Sequence, residues 1–526
     1  MDNDQTVFQG STYRTPQVPQ PVSGEPPLSI SDPTSQEAPI QREVPLQQGA
    51  SASRQDFQNI QNPPVEAIPP PPPPGINPPP VLDGLEDDYS RANLFSIVKK
   101  AVKILIGFIV VLLVFSLIFF VILPGFSKNA PKQVTLTYWG LWEDDKVMQG
   151  LISNFERQNP NIKIDYLKQD IKQYRERLVT RINNGTGPDI FRFHNSWTPM
   201  LLGGLLALPS DTISKDDFNK NFYPVVQKDL TRNGAIYGIP LEIDVLSLFV
   251  NNKLLKSAGL QPPTTWNDFI DTARAVTVKD ANGKIKTAGA AIGSYGNVNH
   301  APDILSLLFL QNGVNLNNLS SSSDRVESAL SFYTSFATDQ NNVWDDTLDP
   351  SMLAFSKGNL AMYFGYSWDY YAIKQAAGSD LDFQIVPVPQ LSNQHVTLAS
   401  YWAEGVSAKT KFPKEALLFM KYLAQKDTEA NFYAATATSR AFGEPYARVD
   451  LAETLKTNKI IYPVVSQAPD ASSSFMVDST YDDGLNQQSD TYLENAVNSI
   501  LNNGSAQSAF TAFSEGVSQV QQKYGQ

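Results

Sequence analysis

An uncharged apolar run from Ile104 to Leu123 constrains this chain more than any other feature. About 20 residues, each rising 1.5 Å along a helix, match the roughly 30 Å hydrocarbon core of a lipid bilayer. The alternative for such a run is a buried helix in a large soluble domain. A cleaved secretory signal does not fit, because about a hundred residues precede the run. The sequence therefore predicts a transmembrane anchor helix within residues 99–126.

Basic residues lie unevenly on the two sides of this run. Arg91, Lys99, Lys100 and Lys103 precede it, whereas soon after it the basic residues are Lys128 and Lys132. Because loops rich in Lys and Arg stay in the cytoplasm, we expect the N-terminus inside the cell. The chain beyond about residue 126 is then expected outside it.

The segment before the anchor is rich in Pro, Gln and Ser, and it contains IPPPPPPGINPPP at 68–80. Few apolar side chains are available there to offset the entropy of ordering. We therefore expect residues 1–98 to form a disordered cytoplasmic tail, with polyproline II character near Pro69–Pro74. A flexible tail is the simpler interpretation, and a cytoplasmic partner with an SH3-like or WW-like domain is the alternative.

The composition excludes several kinds of site. The chain has no cysteine, which rules out disulfides, thiolate metal sites and a lipid-modified cysteine. Its histidines, His194, His300 and His395, are not at helical ligand spacing, so we expect no zinc or other metal site and no cofactor. A net charge of −12 argues against binding of nucleic acid, which needs a basic surface.

From Gln133 onward the sequence is typical of a globular α/β domain. VTLTYW, NIKIDYL and DIFRF have the pattern of strands, and apolar residues at helical spacing separate them, such as Leu151 and Phe155 or Leu178 and Ile182. This order predicts a parallel sheet with helices on its faces. Such sheets bind ligands beyond the carboxyl ends of their strands. Roughly 395 residues follow the anchor, more than one core usually fills, so we expect two lobes.

Catalytic motifs are missing from this sequence. It contains no G-x-x-x-x-G-K-[ST], no G-x-G-x-x-G and no H-E-x-x-H. GYSWD at 365–369 approaches a nucleophile elbow, but Trp368 and Asp369 are too large for its strained turn. KDANGK at 279–284 lacks the closing glutamate of a calcium loop and predicts a hairpin turn at Asn282-Gly283.

Aromatic residues instead recur beside short polar or acidic residues at the ends of predicted strands. The clusters are YWGLWEDD, FHNSW, PLEID, GYSWDYY and SYWAEG. Sugars have hydroxyl groups that donate to carboxylates and apolar faces that stack on aromatic rings. Any one of these aromatic residues could equally belong to the core, but the clusters together favour a binding cleft.

Longer segments carry a more specific likeness. TGPDIFRFHNSW, IYGIPLEIDVLSLFVNNKLLKSAGLQPPTTWNDF and FSKGNLAMYFGYSWDYYAI resemble the extracellular solute-binding proteins of ABC transporters, especially the sugar-binding family that includes maltose-binding protein. SYWAEGVSAKTKFPKEALLFMKYLAQKDTEANFY is similar to that family's later segment. The resemblance covers about residues 133–526. It implies an α/β periplasmic-binding-protein-like fold with a ligand cleft between two lobes, lobe 1 at about 131–242 and 390–440 and lobe 2 at about 245–388 and 441–526.

The resemblance also implies which side chains contact the ligand. They lie in the segments that face the cleft in that family: Trp139, Glu143, Asp144, His194, Asn195, Trp197, Glu242, Asp244, Tyr295, Asn297, Asp303, Trp368, Trp402, Glu404 and Arg440. A polyol or another polar solute is the alternative to a sugar, because Val250-Asn251-Asn252 stands where relatives commonly have Tyr-Asn-Lys.

We therefore expect a single-pass membrane protein, anchored in the lipid bilayer through residues 104–123, that captures a sugar or oligosaccharide outside the cell. It would pass this ligand to the permease subunits of an ABC transporter and would break no bond. One alternative is a sensing or adhesion receptor with the same fold and a signalling tail. The other is a glycosidase, which would need two carboxyl groups paired across the sugar.

Overall fold

The computed structural model describes residues 92–118, 132–338, 340, 342–391, 395–478 and 480–525. The predicted disordered tail lies outside the described residues up to residue 91, and so do residues 119–126 of the predicted anchor. The helix near residue 100 and the domain that begins near residue 131 belong to separate compact units, and each is described by itself.

A single helix, α1 (Ala92–Leu117), occupies the first described segment. Its part from Lys99 to Leu117 is long and apolar enough to cross a membrane, by length and composition. At 1.5 Å per residue these 19 residues extend about 28 Å. The side chains from Lys99 to Ile118 are exposed, as those of a lipid-facing helix would be.

The domain beyond residue 131 is built from short strands. Within its described residues they are β1 (Val134–Gly140), β2 (Ile162–Lys168), β3 (Ile190–His194), β4 (Thr231–Arg232), β5 (Ala235–Ile236), β6 (Ile239–Pro240), β7 (Asp244–Val245), β8 (Ser247–Asn251), β9 (Val278–Lys279), β10 (Ile285–Ala290), β11 (Leu360–Gly365), β12 (Phe383–Val386), β13 (Thr397–Ser400), β14 (Trp402–Val406) and β15 (Ala471–Ser473).

Helices connect and cover these strands. The α-helices of this domain are α2 (Asp145–Gln158), α3 (Tyr174–Asn183), α4 (Thr198–Leu201), α5 (Lys215–Asn221), α6 (Pro224–Leu230), α7 (Asn252–Ser257), α8 (Trp266–Val276), α9 (Ala301–Gln311), α10 (Ser323–Thr338), α11 (Ser351–Ser356), α12 (Asp369–Ala377), α13 (Pro413–Leu423), α14 (Lys426–Thr436), α15 (Tyr462–Val465), α16 (Leu485–Leu501) and α17 (Ala506–Lys523).

The first sheet has the strand order β2-β1-β3-β14-β6. β1 is parallel to β2 and to β3, which confirms the parallel sheet predicted from the alternating pattern. On α2, Met148, Leu151, Ile152 and Phe155 are buried. They recur three and four residues apart, so one face of the helix packs against the sheet. Burial of each such side chain stabilises the fold by about 1.5–3 kcal/mol. Because β14 and α13 return to this sheet, the first lobe is built from two separate stretches of chain.

The second sheet has the order β12-β8-β11-β10-β9. β9 and β10 form the antiparallel hairpin predicted at Asn282-Gly283. Gly283 has a φ of 79°, a left-handed value that favours glycine. The C-terminal helices α16 and α17 pack against α10, so the end of the chain belongs to this second lobe.

A third sheet, β15-β13-β7, joins the lobes. β7 leads from the first sheet to the second, β13 leads back, and β15 leads to the second lobe again. β13 pairs with both of the others, through Ala399 opposite Val245 and opposite Ser473. The two-lobed α/β fold expected from the resemblance is therefore observed, and three hydrogen-bonded crossings connect its lobes.

Candidate functional site

An aromatic cluster around Trp402 lies at one edge of the first sheet. Trp402 begins β14 and pairs in register with His194, at the end of β3. Its ring centroid lies 5.6 Å from that of Trp142, 5.1 Å from His194 and 5.2 Å from Trp197, each in edge-to-face geometry. Trp197 is fully buried, whereas Trp142 is 42% exposed. The cluster thus has a buried base and a rim that is open to solvent.

The sequence prediction did not include Trp142. It selected Trp139 instead, and this residue is half-buried with its ring 6.4 Å from that of Tyr174. Trp139 still belongs to β1, whereas Trp142 follows the carboxyl end of the strand. That position was the available signal, because open α/β sheets place ligands beyond their strand ends.

Beneath this rim, Arg192 lies between two glutamates. Arg192 on β3 pairs in register with Glu404 on β14, and its Nε donates to Glu404 Oε1 at 2.7 Å. Its Nη1 donates to Glu143, which belongs to the loop after β1. All three residues are at least 94% buried. Burial opposes the charge of the guanidinium, but Glu143 and Glu404 outweigh it and hold the pKa of Arg192 above its ordinary value. This buried ion triad fixes the loop that carries Trp142.

A second acidic pair lies beside Trp402. Glu242 Oε1 accepts a hydrogen bond from the backbone N–H of Trp402 at 2.8 Å. The backbone of Ile243 donates to Pro445 O at 2.9 Å, which places Glu242 next to Glu444. Burial, and then the charge of Glu444, raises the pKa of Glu242. Arg440 donates to Glu444 and its guanidinium lies over the Tyr371 ring of the second lobe. The carboxyl groups of Glu242, just before β7, and Glu444, in the segment after α14, therefore lie close together near Trp402.

Asp244, on the first crossing strand, is bound by the second lobe. Its Oδ2 accepts from Ser367 N at 3.0 Å and from Ser367 Oγ at 2.5 Å, and its Oδ1 accepts from Val245 N at 2.8 Å. Asp244 is 2% exposed. Burial raises its pKa to about 8, although the hydrogen bonds from Ser367 oppose this shift. The geometry makes Asp244 a link between β7 and the loop after β11, and contact with a ligand stays a prediction.

Asp244→Asn should change how stability depends on pH. A carboxyl group whose pKa rises from 3.8 to about 8 on folding binds more protons in the folded state. Its contribution to stability is then present below about pH 4 and is lost as pH rises towards 8. The free energy of unfolding of the variant, relative to the parent, should rise between pH 5 and pH 8 by up to about 1.4 kcal/mol per pH unit. Denaturant unfolding at four pH values measures this, and a pH-independent difference would contradict it.

Several predicted ligand residues of the first lobe bond within the protein. The Nδ1 of His194 lies 2.8 Å from Ser196 Oγ, and its Nε2 lies 3.0 Å from Ser400 Oγ. Burial lowers the pKa of His194 to about 3, so the ring is neutral. Asn195 donates to Asp229 at 2.8 Å. These side chains, with the buried Trp197, support the rim from below.

Among the ligand contacts predicted in the second lobe, Trp368 has an aromatic ring that is partly open to solvent. It is half-buried, and it stacks on Tyr366 with centroids 4.4 Å apart and an interplanar angle of 17°. Tyr366 donates its hydroxyl to Asp303 Oδ1 at 2.5 Å. Asp303 is fully buried, so it supports the stacked pair from behind.

The remaining predicted ligand residues lie outside the tryptophan cluster, or their side chains bond to other groups of the protein. Asn297 donates its amide to Asp345 O at 2.9 Å, and the hydroxyl of Tyr295 donates to Asp490 O at 3.4 Å. Asp144 is exposed and pairs with Lys168 at 2.6 Å. The residues that the structure gathers around the first-lobe rim are Glu143, His194, Trp197, Glu242, Trp402, Glu404 and Arg440.

Comparison with protein families decides the class of this chain. Residues 150–442 match the model of the bacterial extracellular solute-binding proteins. The chain belongs to this family. The family predicted from the sequence resemblance is therefore confirmed, and the members and fold neighbours of this solute-binding protein are binding proteins rather than enzymes.

Individual relatives extend the match. The chain is 25% identical over 327 residues to the multiple sugar-binding protein of Streptococcus mutans, which covers 58% of this chain and 75% of that protein. It is 24% identical over 320 residues to the maltodextrin-binding protein of Bacillus subtilis, a match that covers 59% of this chain and 72% of that protein. Among solved structures, a cyclo/maltodextrin-binding protein in complex with maltotetraose matches with a TM-score of 0.60 at 18% identity, covering 75% of this chain and 99% of that one. The sugar-binding protein MalE of Xanthomonas citri gives a TM-score of 0.61 at 18% identity, and the match covers 74% of this chain and 98% of that one. These structures establish the shared fold.

Proposed function

We propose that this solute-binding protein is a membrane-anchored receptor that captures a sugar or oligosaccharide outside the cell for uptake by an ABC transporter. The observation that carries the proposal is the solvent-open ring of Trp142, which packs against Trp402, a residue whose backbone N–H donates to the carboxyl group of Glu242. The names of relatives such as the multiple sugar-binding protein support it.

The chemistry of this rim suits a sugar. The apolar face of a pyranose ring stacks on an indole, and a carboxylate accepts hydrogen bonds from its hydroxyl groups. Trp142 and Trp402 supply the indoles from the first lobe, and Trp368 supplies one from the second. Arg440 adds a donor that can bind a sugar oxygen. A rotation of the lobes about the third sheet would enclose the ligand between these groups.

Sugar binding is tested on the full-length chain in an uncharged detergent without a sugar headgroup. We expect titration calorimetry with malto-oligosaccharides and β-linked disaccharides to detect micromolar binding of at least one of them, a free energy of about −8 kcal/mol. Tryptophan fluorescence should change on binding, because Trp142 lies at the rim. Mass spectrometry should recover the sugar intact. Binding of no carbohydrate, or release of a shortened product at enzymatic rates, would contradict the proposal.

The anchor part of the proposal rests on α1. Its apolar length and exposed side chains fit a membrane span, and Lys99, Lys100 and Lys103 lie at its N-terminal side. By the distribution of basic residues, the N-terminus is cytoplasmic and the binding domain is outside.

Protease added to intact cells tests this topology. We expect it to remove an epitope tag placed after Gln526 and to spare a tag placed before Met1. Permeabilised cells, in which both tags are cut, are the control. Loss of the N-terminal tag from intact cells, with the C-terminal tag protected, would show the opposite orientation.

A further inference from the structure

One side chain of the first lobe reaches into the second lobe. Arg175 lies in the first turn of α3, and this helix is fixed to the first sheet because Tyr174 donates its hydroxyl to Arg192 O at 2.8 Å. Asp482 lies just before α16, a helix of the second lobe. The Nε of Arg175 donates to Asp482 Oδ1 across 307 positions of the sequence. An ion pair therefore joins the two lobes at a place other than the third sheet.

The second lobe encloses this guanidinium on several sides. Asp482 Oδ1 also accepts from Gly484 N at 2.8 Å, which fixes the carboxylate at the start of α16. The guanidinium carbon lies 5.6 Å from the centroid of the Tyr524 ring, just after α17. A Cβ atom at Gly484 would collide with Nη2 of Arg175, so glycine leaves the space that the guanidinium fills. The side chain of Arg175 is 10% exposed and that of Asp482 is fully buried.

The ion pair lies on the side of the first sheet that is opposite to the crossings. The strand order β2-β1-β3-β14-β6 places β2 at one edge, and α3 follows β2 in the chain. At the other side, β6 leads to β7 and β13 leads into β14. Neighbouring strands lie about 4.8 Å apart, so β2 is about 14 Å from β14. A rotation about the third sheet therefore moves this contact further than it moves groups near the crossings, and the ion pair must break when the lobes separate.

The charges allow this contact to form and break reversibly. Arg175 also pairs with Glu176 of its own helix, so its guanidinium keeps a carboxylate when the lobes separate. Asp482 Oδ2 is buried and has no hydrogen-bond partner within the described part of the chain. Loss of the guanidinium would leave the Asp482 carboxylate buried without this counterion, and separation of the lobes would return it to water. Arg175 therefore favours the arrangement in which the lobes are together.

We propose that Arg175 and Asp482 form a latch across the cleft, which holds the second lobe over a bound sugar. Arg175 is then a positioning residue, which raises affinity without contact with the sugar. A ligand loses affinity in proportion when the arrangement that binds it is only partly populated, so a variant without the latch should bind more weakly. This effect on affinity rests on the proposed sugar binding, whereas the effect of the latch on the distance between the lobes does not.

The latch is tested first without sugar, on the full-length chain in an uncharged detergent that has no sugar headgroup. Because the chain has no cysteine, the substitutions Asn184→Cys and Gln507→Cys place one spin label at an exposed position of each lobe. Electron–electron double resonance then measures the distance between the labels. We expect Arg175→Met and Asp482→Asn each to shift the distances to larger values than in the labelled parent. The double variant should be no more open than Arg175→Met, since both changes break the same contact.

Sugar affinity is the second measurement. Titration calorimetry should show about tenfold weaker binding in Arg175→Met and Asp482→Asn, for the sugar that the parent binds. Stopped-flow tryptophan fluorescence should show faster release of that sugar. The melting temperature without sugar should stay within a few degrees of the parent, because each lobe has its own core. Arg181→Met and Asp483→Asn are the matched controls, since these exposed residues lie on the same helix and in the same segment. They should keep the distances and the affinity of the parent.

The two measurements separate failure of the latch from failure of the proposed function. Unchanged distances in both latch variants would overturn the latch, whether or not the parent binds a sugar. Equal shifts in the control variants would overturn it as well. A shift confined to the latch variants, in a parent that binds no carbohydrate, would support the latch and contradict sugar capture.

Discussion

Arg192→Met should lower the free energy of unfolding by about 3–5 kcal/mol, which is the cost of breaking a buried ion pair by removing one partner. The side chain of Arg192 is 2% exposed, and those of Glu143 and Glu404 are 4% and 1% exposed. Without the guanidinium, two carboxylates would remain buried with no compensating charge. Denaturant unfolding of the parent and the variant measures the loss.

Two further variants separate charge from packing. The triple variant Arg192→Met, Glu143→Gln, Glu404→Gln keeps the shape of the triad without buried charge, so it should recover most of the lost stability. Lys163→Met removes the 45%-exposed partner of the half-buried Glu156, and it should cost no more than about 1 kcal/mol. A loss for Arg192→Met as small as that for Lys163→Met would show that the triad does not hold the loop.

Trp142→Ala should weaken sugar binding at least tenfold and leave the melting temperature within a few degrees of the parent. The ring is 42% exposed and its aromatic contact is with Trp402, so its loss opens no cavity. The affinity lost should exceed the roughly 0.5–1.5 kcal/mol of an aromatic pair, because apolar area buried by the sugar is lost as well. Calorimetry with the sugar that the parent binds measures this. Trp368→Ala should weaken binding similarly from the second lobe.

Trp197→Ala is the contrasting substitution. Trp197 is fully buried in the same cluster, so this change should cost about 3–5 kcal/mol of stability. Unchanged affinity in both Trp142→Ala and Trp368→Ala would remove the tryptophan rim from the binding site. A collapse of the melting temperature in Trp142→Ala would make its ring part of the core.

The fold could be predicted from the sequence because its signals are local. The alternation in β1 and β2, the buried face of α2 and the hairpin at Asn282-Gly283 each depend on residues a few positions apart. The length of the chain beyond the anchor already indicated two lobes, and the resemblance supplied the order in which the chain passes between them, which no periodicity could have given.

The site could be predicted only in part, because the partner of a polar side chain lies far away in the sequence. Arg192 meets Glu404 across 212 positions, and Asp244 meets Ser367 across 123. The sequence does not distinguish a carboxylate that binds a sugar from one that accepts a hydrogen bond from a buried serine. Aromatic residues have the same ambiguity, since burial separates Trp197 from Trp142 and no local pattern does.

The third sheet determines how the two lobes can move. Its strands β7, β13 and β15 are the three crossings, and β13 bonds to both neighbours. Ser473 on β15 donates to Asp229, which also accepts from Tyr401 and Asn195, so the outer crossing is tied to the first lobe. Three crossings that are bonded side by side cannot bend independently. A rotation of one lobe against the other would therefore have to bend all three strands together, about a single axis through this sheet.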